Sequence, residues 1–268
     1  MIRVTDLNIE FFDHERPETV VYDFDLTLHE GEIVGLVGES GSGKSMSALA
    51  IAGLLSRKDM KKRGEILFEG VNLLDCDRKT LRKFQGNEIG MIFQEPMTSL
   101  NPVKKIGWQV EEALRLHTEL SKEERKKRAI EMLEKVELHN PQQVYEQYPH
   151  ELSGGMRQRA ALIRTLALNP DILLLDEPFS ALDYQTRLEV SDDIGSIIKE
   201  QKKTALLVTH DISEAISMGD QVVILSQRPA TIKKIIDIHF SIPDRTPFTS
   251  RQAPEFAGYF NDIWEEIQ

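Results

Sequence analysis

A glycine-rich segment between an apolar strand and a helix constrains the fold of this chain more than any other sequence feature. Ile33–Val37 has no polar face, which predicts a strand buried on both sides of a parallel sheet. Residues 38–45 follow with the pattern G-x-x-x-x-G-K-[ST], and residues 46–55 show the apolar pattern of a helix. The glycines let successive backbone N–H groups point into one concavity at the start of that helix, where an anion is favoured. The segment therefore predicts a binding loop for the phosphates of a nucleotide.

Several side chains and backbone groups of this loop are expected to contact the nucleotide. The Lys44 ammonium supplies a positive charge to the β- and γ-phosphates, and the Ser45 hydroxyl is a ligand for Mg²⁺. The full set of expected contacts is Gly38, Ser40, Gly41, Ser42, Gly43, Lys44, Ser45 and Met46.

Two adjacent carboxylates follow a second apolar run, residues 172–175. The carboxyl ends of parallel strands are where α/β sheets place their ligand-binding groups, so Asp176 is placed to hold Mg²⁺ through water. Because successive residues of a strand point to opposite sides, we expect Glu177 to face another target, the water that attacks the γ-phosphate. The sequence has no Asn-Lys-x-Asp motif, which GTPases use to bind guanine. This argues against a GTPase and leaves a kinase or an ATPase.

Residues 153–155 predict a second anion site. Ser153 is a favourable N-cap for the helical pattern that starts at Met156, and Gly154 and Gly155 leave the first-turn N–H groups accessible. One triphosphate does not need two such sites in one chain, so the second site requires another explanation.

Taken in order, these motifs resemble those of the ATP-binding-cassette (ABC) ATPases over nearly the whole chain. Residues 152–158, LSGGMRQ, are similar to the family's signature sequence, and residues 180–183 are similar to its aspartate loop. Gln94 and His210 match its glutamine loop and switch histidine. In that family two cassettes face each other head to tail, and each ATP lies between the phosphate loop of one and the signature of the other. The resemblance thereby explains the second anion site.

The resemblance also implies roles for individual residues. Glu177, His210 and Gln94 form the implied catalytic set, in which Gln94 touches Mg²⁺ and the attacking water and His210 contacts the γ-phosphate. The implied metal ligands are Ser45, Gln94 and Asp176.

Other residues are implied at the faces of the nucleotide. The signature contacts to the partner's ATP would come from Ser153, Gly154, Gly155 and Gln158, and Asp183 would report across the dimer. An aromatic residue near the first strands stacks on adenine in the family. Phe12 is our choice here, with Phe11 as the alternative.

Strands alternating with helices predict an α/β fold with a parallel sheet. We expect helices at Tyr184–Glu200 and Ile212–Met218, a strand at Gln221–Leu225, and a capping box from Ser121 to Glu124. The resemblance specifies a P-loop NTPase core with an N-terminal antiparallel β subdomain and a helical subdomain inserted at about residues 95–150. Residues 1–240 would form the ATP-binding domain, and residues 241–268 a tail with a short helix.

The type of transporter is indicated by residues 93–102, FQEPMTSLNP, which closely resemble the ATPases of oligopeptide, dipeptide and nickel importers. Such importers commonly use two different ATPases, and Ser42 and Met156 resemble the first of the two. We expect a heterodimer with a related ATPase, or alternatively a homodimer, docked on two membrane-spanning permease subunits at the cytoplasmic face. An external solute-binding protein would act indirectly.

Three alternatives compete with this hypothesis. Residues 228–232 and 260–264 look more like the nitrate, sulfonate and taurine importer ATPases, and no cysteine follows Cys76, unlike the clustered cysteines of many peptide-type members. A soluble cassette acting on DNA or ribosomes would carry long coiled coils or a second cassette, which the sequence lacks. A regulatory, inactive cassette is disfavoured by Glu177, His210 and the unbroken signature. The net charge of −11 also argues against non-specific nucleic-acid binding.

Overall fold

The computed structural model of the chain describes residues 1–12, 17–94, 99–136, 138–243 and 245–268. The strands are β1 (Ile2–Phe11), β2 (Glu18–Leu28), β3 (Ile33–Val37), β4 (Met60–Phe68), β5 (Val71–Asn72), β6 (Ile89–Ile92), β7 (Ile172–Asp176), β8 (Thr204–Val208), β9 (Gln221–Leu225) and β10 (Ile232–Asp237). The helices are α1 (Lys44–Ile51), α2 (Arg78–Phe84), α3 (Ile106–His117), α4 (Lys122–Lys135), α5 (Pro141–Glu146), α6 (Gly154–Leu166), α7 (Tyr184–Glu200), α8 (Ile212–Met218), α9 (Pro247–Gln252) and α10 (Phe256–Ile267).

A central sheet in the described part of the chain has the strand order β10-β9-β3-β8-β7-β6. Its strands run parallel except β10, which pairs antiparallel with β9. Every residue of β3, β7 and β8 is buried, as the purely apolar runs predict for strands covered on both faces. The α/β class is thereby confirmed, and the carboxyl ends of β3, β7 and β8 meet at one edge of the sheet.

A second, antiparallel sheet has the order β2-β1-β4-β5 among the described residues. Its inner face shares one apolar cluster with α1 and the central sheet, including Ile9, Phe24 and Ile66 from the second sheet and Leu206 from β8. The expected N-terminal antiparallel β subdomain is therefore present, and it covers the side of the central sheet that carries the phosphate loop.

The helices α3, α4 and α5 pack on one another and on α6 through a shared apolar cluster that includes Val110, Leu133, Val144 and Ile163. The capping box predicted at Ser121 is formed, because its hydroxyl accepts from the Glu124 N–H and the Glu124 carboxylate accepts from the Ser121 N–H. Residues 95–98 and 137, within the expected helical subdomain, lie outside the described residues.

The segment after residue 240 packs on the core. Helix α9 contacts α7 and α8, and α10 contacts α8 and β9. Strand β10 and helix α9 were not expected from the sequence, whereas α7, α8 and β9 have the expected bounds. None of the helices in the described ranges combines the length and apolar composition that a bilayer crossing requires.

Candidate active site

The phosphate loop joins the end of β3 to the start of α1, as predicted, although α1 begins at Lys44 rather than at Met46. Gly43 has φ +97°, and a Cβ there would lie 3.0 Å from the Val20 carbonyl oxygen. Only glycine therefore fits both the left-handed backbone and the close approach of β2. The sequence requirement for glycine at this position is thus a matter of conformation as well as space.

The Lys44 side chain folds back into the loop, and the residue is 5% exposed. Its Nζ donates to the carbonyl oxygens of Gly38 at 2.9 Å and Glu39 at 2.8 Å. Burial lowers the pKa of Lys44, and the nearby carboxylates of Glu177 and Asp176 oppose that shift. The loop therefore holds a buried cation whose charge is stabilised by carbonyl oxygens and carboxylates.

The end of β7 brings a carboxylate to this cation. The Ser45 hydroxyl donates to Asp176 Oδ1 at 2.8 Å. Burial raises the pKa of Asp176, and Glu177 raises it further, while the Ser45 hydrogen bond and Lys44 lower it. Ser45 and Asp176 thus present adjacent oxygen atoms of the kind that Mg²⁺ binds.

Glu177 lies outside the strand, because β7 ends at Asp176. Its φ is +44°, and its N–H donates to the Val208 carbonyl at 2.8 Å. The different direction of its side chain therefore comes from a left-handed turn residue, not from the strand alternation we expected. The two carboxylates diverge as predicted, but the predicted cause, strand alternation, is wrong.

The Glu177 carboxylate lies between two polar side chains. Gln94 Nε2 donates to Glu177 Oε2 at 3.1 Å, and His210 Nδ1 lies 3.3 Å from Glu177 Oε1. Gln94 follows β6, Glu177 follows β7 and His210 follows β8, so neighbouring parallel strands deliver all three. The three predicted catalytic residues are thus brought together at one edge of the sheet.

A cavity of about 260 Å³ lies above the loop, and it is lined by Ser40, Gly41, Gly43, Lys44, Ser45, Met46, Gln94, Glu177 and Arg228. Arg228 is not among the residues that the sequence predicts for this site. Its Nε donates to the Gly41 carbonyl at 2.6 Å, and its Nη1 is 2.5 Å from Glu18 Oε1. In the sequence, residues 228–232 stand out only for their resemblance to another group of importer ATPases, because the loop after β9 reaches the phosphate loop only in the folded chain.

The signature segment forms the start of α6. The Ser153 hydroxyl accepts from the Met156 N–H at 3.3 Å, as expected for an N-cap. A Cβ on Gly154 would meet no atom within 4 Å, so this first turn is open, whereas one on Gly155 would lie 2.9 Å from Thr186 Cγ2. The start of α6 is thus accessible at Gly154 and tightly packed against α7 at Gly155.

Gln158 differs from its expected role as a nucleotide contact. Its side chain is fully buried, and its amide donates to the Pro178 carbonyl. In this structure it ties α6 to the segment after Glu177, because burial leaves it no access to a ligand.

The remaining expected contacts lie apart from the cavity. Asp183 is the N-cap of α7, where its carboxylate accepts from the Thr186 N–H at 3.1 Å. Phe12 is 41% exposed, and Lys61 Nζ lies 5.2 Å from its ring centroid. Phe11 is partly buried against the apolar cluster under the antiparallel sheet. Among the described residues, the cavity lining includes neither Phe12, Ser153 nor Asp183.

The chain is similar to curated ATP-binding proteins of peptide transport. It is 39% identical over 250 residues to "Oligopeptide transport ATP-binding protein OppD" of Bacillus subtilis, covering 93% of this chain and 70% of that protein. It is 34% identical over 260 residues to "Dipeptide transport ATP-binding protein DppD" of Haemophilus influenzae, covering 96% of this chain and 78% of that protein.

Solved structures agree with this similarity. The chain superimposes on the dimeric ATP-binding cassette MJ0796 bound to ADP and Pi with a TM-score of 0.77 at 30% identity, over 89% of this chain and 99% of that one. The sequence profile described as ABC transporter matches residues 21–180, which include the phosphate loop, the signature and both carboxylates. The chain therefore belongs to the ABC transporter family, as one of its ATPase cassettes.

Proposed function

We propose that the chain is the ATP-hydrolysing subunit of a peptide importer, and that it binds Mg²⁺-ATP in the cavity above the phosphate loop. The observation that carries this proposal is the Glu177 carboxylate held between Gln94 and His210 beside Lys44. The oligopeptide and dipeptide transport names of the relatives support a peptide as the cargo.

Each residue of the site has a part in this reaction. Lys44 and the loop N–H groups hold the β- and γ-phosphates, and Ser45, Gln94 and Asp176 would hold Mg²⁺. The metal, when bound, neutralises charge on the phosphates. Glu177 orients the attacking water and accepts its proton, and Gln94 and His210 hold the Glu177 carboxylate in place.

The start of α6 supplies the other half of a nucleotide site. Ser153 and Gly154 do not line the cavity of their own chain, yet Gly154 is open and the helix start favours an anion. We infer that they bind the γ-phosphate of ATP held by a second cassette, in a dimer docked on two permease subunits at the cytoplasmic face of the membrane. That dimer is a heterodimer with a related ATPase.

Two substitutions test the chemistry. Glu177→Gln removes the proton acceptor, so we expect turnover to fall by about 10²-fold or more while ATP binding persists. Lys44→Ala removes the phosphate cation, so we expect ATP affinity itself to fall. Glu189→Gln, an exposed change on α7, is the matched control. Normal turnover of Glu177→Gln, or unchanged ATP affinity of Lys44→Ala, would contradict the proposed site.

The assembly is tested by tagging the chain, solubilising it gently from native membranes and identifying its partners by mass spectrometry. A second, different ATPase with two permease subunits would support the heteromeric peptide importer. The alternative is a homodimeric nitrate- or sulfonate-type importer, which the sequence of the tail favours. This ATPase alone with one kind of permease subunit would establish that alternative and overturn the heterodimer.

A further inference from the structure

The backbone on both sides of His210 is held by buried polar groups. The Thr209 hydroxyl donates to Glu214 Oε2 at 2.7 Å, and the Asp211 N–H donates to Thr209 Oγ1 at 3.0 Å. Thr209 is 1% exposed and Glu214 is 3% exposed. These hydrogen bonds fix the backbone from which the His210 imidazole extends toward Glu177.

The carboxylate after His210 also has defined partners. Asp211 caps α8, because its Oδ1 accepts from the N–H groups of Ser213 at 2.8 Å and Glu214 at 3.3 Å. Its other oxygen lies 3.4 Å from Arg187 Nη1, and Arg187 Nε lies 3.9 Å from Glu214 Oε1. One guanidinium on α7 thus faces both carboxylates that fix the histidine segment.

The same guanidinium is bonded to the aspartate loop. Arg187 Nη2 donates to the Leu182 carbonyl at 3.2 Å, and Leu182 directly precedes Asp183. The Arg187 N–H donates to the Asp183 carbonyl at 2.9 Å. Arg187 therefore connects the segment that carries Asp183 to the segment that carries His210.

Charged groups surround this connection. Burial raises the pKa of Glu214, and Asp211 raises it further, whereas the Thr209 hydrogen bond, Arg187 and Arg251 lower it. Burial lowers the pKa of Arg251, and the carboxylates of Asp211 and Glu214 oppose that shift. The partly buried Arg187 guanidinium hydrogen-bonds the Leu182 carbonyl and the Asp211 carboxylate, so a displacement of the aspartate loop changes its contact with the histidine segment.

We propose that Arg187 is a positioning residue that couples the aspartate loop to the histidine loop, so that docking of a second cassette against Asp183 sets the position of His210. The proposal rests on the proposed ATPase function. Arg187 touches no lining residue of the nucleotide cavity within the described ranges, so its effect on the reaction passes through His210.

The test substitutes Arg187 in the full chain and compares it with a matched arginine. Arg245 is also partly buried, and it bonds the Asp220 carboxylate at 3.1 Å and the Ile216 carbonyl at 3.2 Å, at the far end of α8. We expect Arg187→Ala to lower kcat by about tenfold or more, with ATP affinity within about twofold of wild type. We expect Arg245→Ala to lower the melting temperature by a similar amount with kcat nearly unchanged. Arg187→Lys should recover only part of kcat, because an ammonium lacks the planar fork.

A second variant separates coupling from folding. Arg187→Ala leaves the buried Glu214 carboxylate with less compensation, so we pair it with Glu214→Gln, which restores charge balance. We expect the double variant to regain melting temperature but not kcat. Equal kcat losses in Arg187→Ala and Arg245→Ala, or full recovery of kcat in the double variant, would overturn the proposal.

A readout independent of turnover distinguishes this proposal from the proposed function. The imidazole resonances of His210, assigned with His210→Ala, are followed by NMR against pH. We expect the chemical shifts of these resonances to change in Arg187→Ala and to remain those of the wild type in Arg245→Ala. If the wild type shows no ATP turnover, the proposed function fails, but the His210 resonances still test whether Arg187 positions His210. Unshifted resonances in Arg187→Ala would overturn the proposed coupling.

Discussion

Arg228 places a second cation at the wall of the phosphate cavity. The loop that carries it is fixed on β2, because the Ala230 N–H donates to the Val20 carbonyl and the Tyr22 N–H donates to the Ala230 carbonyl, both at 2.9 Å. Glu18 and the Gly41 carbonyl then orient the guanidinium. Since charge-assisted hydrogen bonds to phosphate are strong, Arg228 is placed to add to the affinity for a triphosphate.

For Arg228→Ala we expect the Kd for ATP to rise about tenfold, a loss of about 1.4 kcal/mol, measured by titration with a fluorescent ATP analogue. Arg3→Ala, an exposed change on β1, is the control and should leave the Kd unchanged. An unchanged Kd in Arg228→Ala would show that the arginine contributes nothing to nucleotide binding.

Asp176 gives a prediction with a defined pH dependence. Because burial raises its pKa, the folded chain holds this proton more tightly than the unfolded chain, so stability is lost as the pH rises through the pKa of the folded state. Asp176→Asn removes this cost. We expect it to raise the melting temperature of the nucleotide-free chain by a few degrees at pH 8, with a smaller gain toward pH 4, and to abolish Mg²⁺-dependent ATP binding.

The control for Asp176→Asn is Asp171→Asn, at the opposite end of the same strand, where the side chain is 75% exposed. It should change the melting temperature little at either pH. A gain in Asp176→Asn that is equal at both pH values would refute the explanation by burial.

Residue identities at the site were predictable where a local pattern specifies them. Lys44 and Ser45 follow from the loop motif, and the position of Asp176 follows from the end of an apolar run. The direction of the Glu177 side chain was not predictable, because it depends on a left-handed backbone conformation that a glutamate does not indicate. Arg228 was also not predictable, because its contacts with Gly41 and Glu18 join residues far apart in sequence.

At the scale of elements, the start of α6 combines a cap with an open glycine turn. Ser153→Ala removes the cap, which costs about 1 kcal/mol of folding free energy. It also removes a hydroxyl from the surface that we expect to face the partner's γ-phosphate. We therefore predict a small loss of melting temperature together with weaker ATP-dependent dimerisation with the related ATPase, measured by size-exclusion chromatography of the two proteins together with this chain in a Glu177→Gln background.

The matched control for Ser153→Ala is Ser121→Ala, which removes the cap of α4. It should cost similar stability and leave ATP-dependent dimerisation unchanged. Equal dimerisation in the two variants would exclude Ser153 from the proposed interface.

Elements with a clear periodicity or an apolar run were predicted well. Helices α7 and α8 and strand β9 have the predicted bounds, because their patterns end where their caps or turns begin. Strand β10 was missed, because an edge strand with Lys233 and Lys234 on it lacks the apolar signal of a buried one. Helix α9 was missed because six residues that begin with Pro247 resemble a turn.

At the scale of the whole molecule, the tail completes an apolar cluster. Ile263 of α10 is fully buried in a cluster with Ile212 and Ile216 of α8 and Val222 of β9. We expect Ile263→Ala to cost about 2–4 kcal/mol, because it leaves a cavity in that cluster. Trp264→Ala, at a side chain that is 50% exposed, should cost clearly less. The free energies of unfolding from denaturant titrations compare the two, and equal losses would contradict this packing.

The separation of the cavity from Ser153 and Gly154 predicts how defects in the two cassettes of a dimer combine. If each nucleotide lies between two cassettes as we propose, a Lys44 defect and a Ser153 defect in the same chain inactivate two different nucleotide sites. The same two defects placed in opposite chains fall on a single site and leave the other whole. In the proposed heterodimer, a Lys44 defect in this chain and a signature defect in the related ATPase would then reduce transport little more together than singly, whereas Lys44 and Ser153 defects combined in this chain would add.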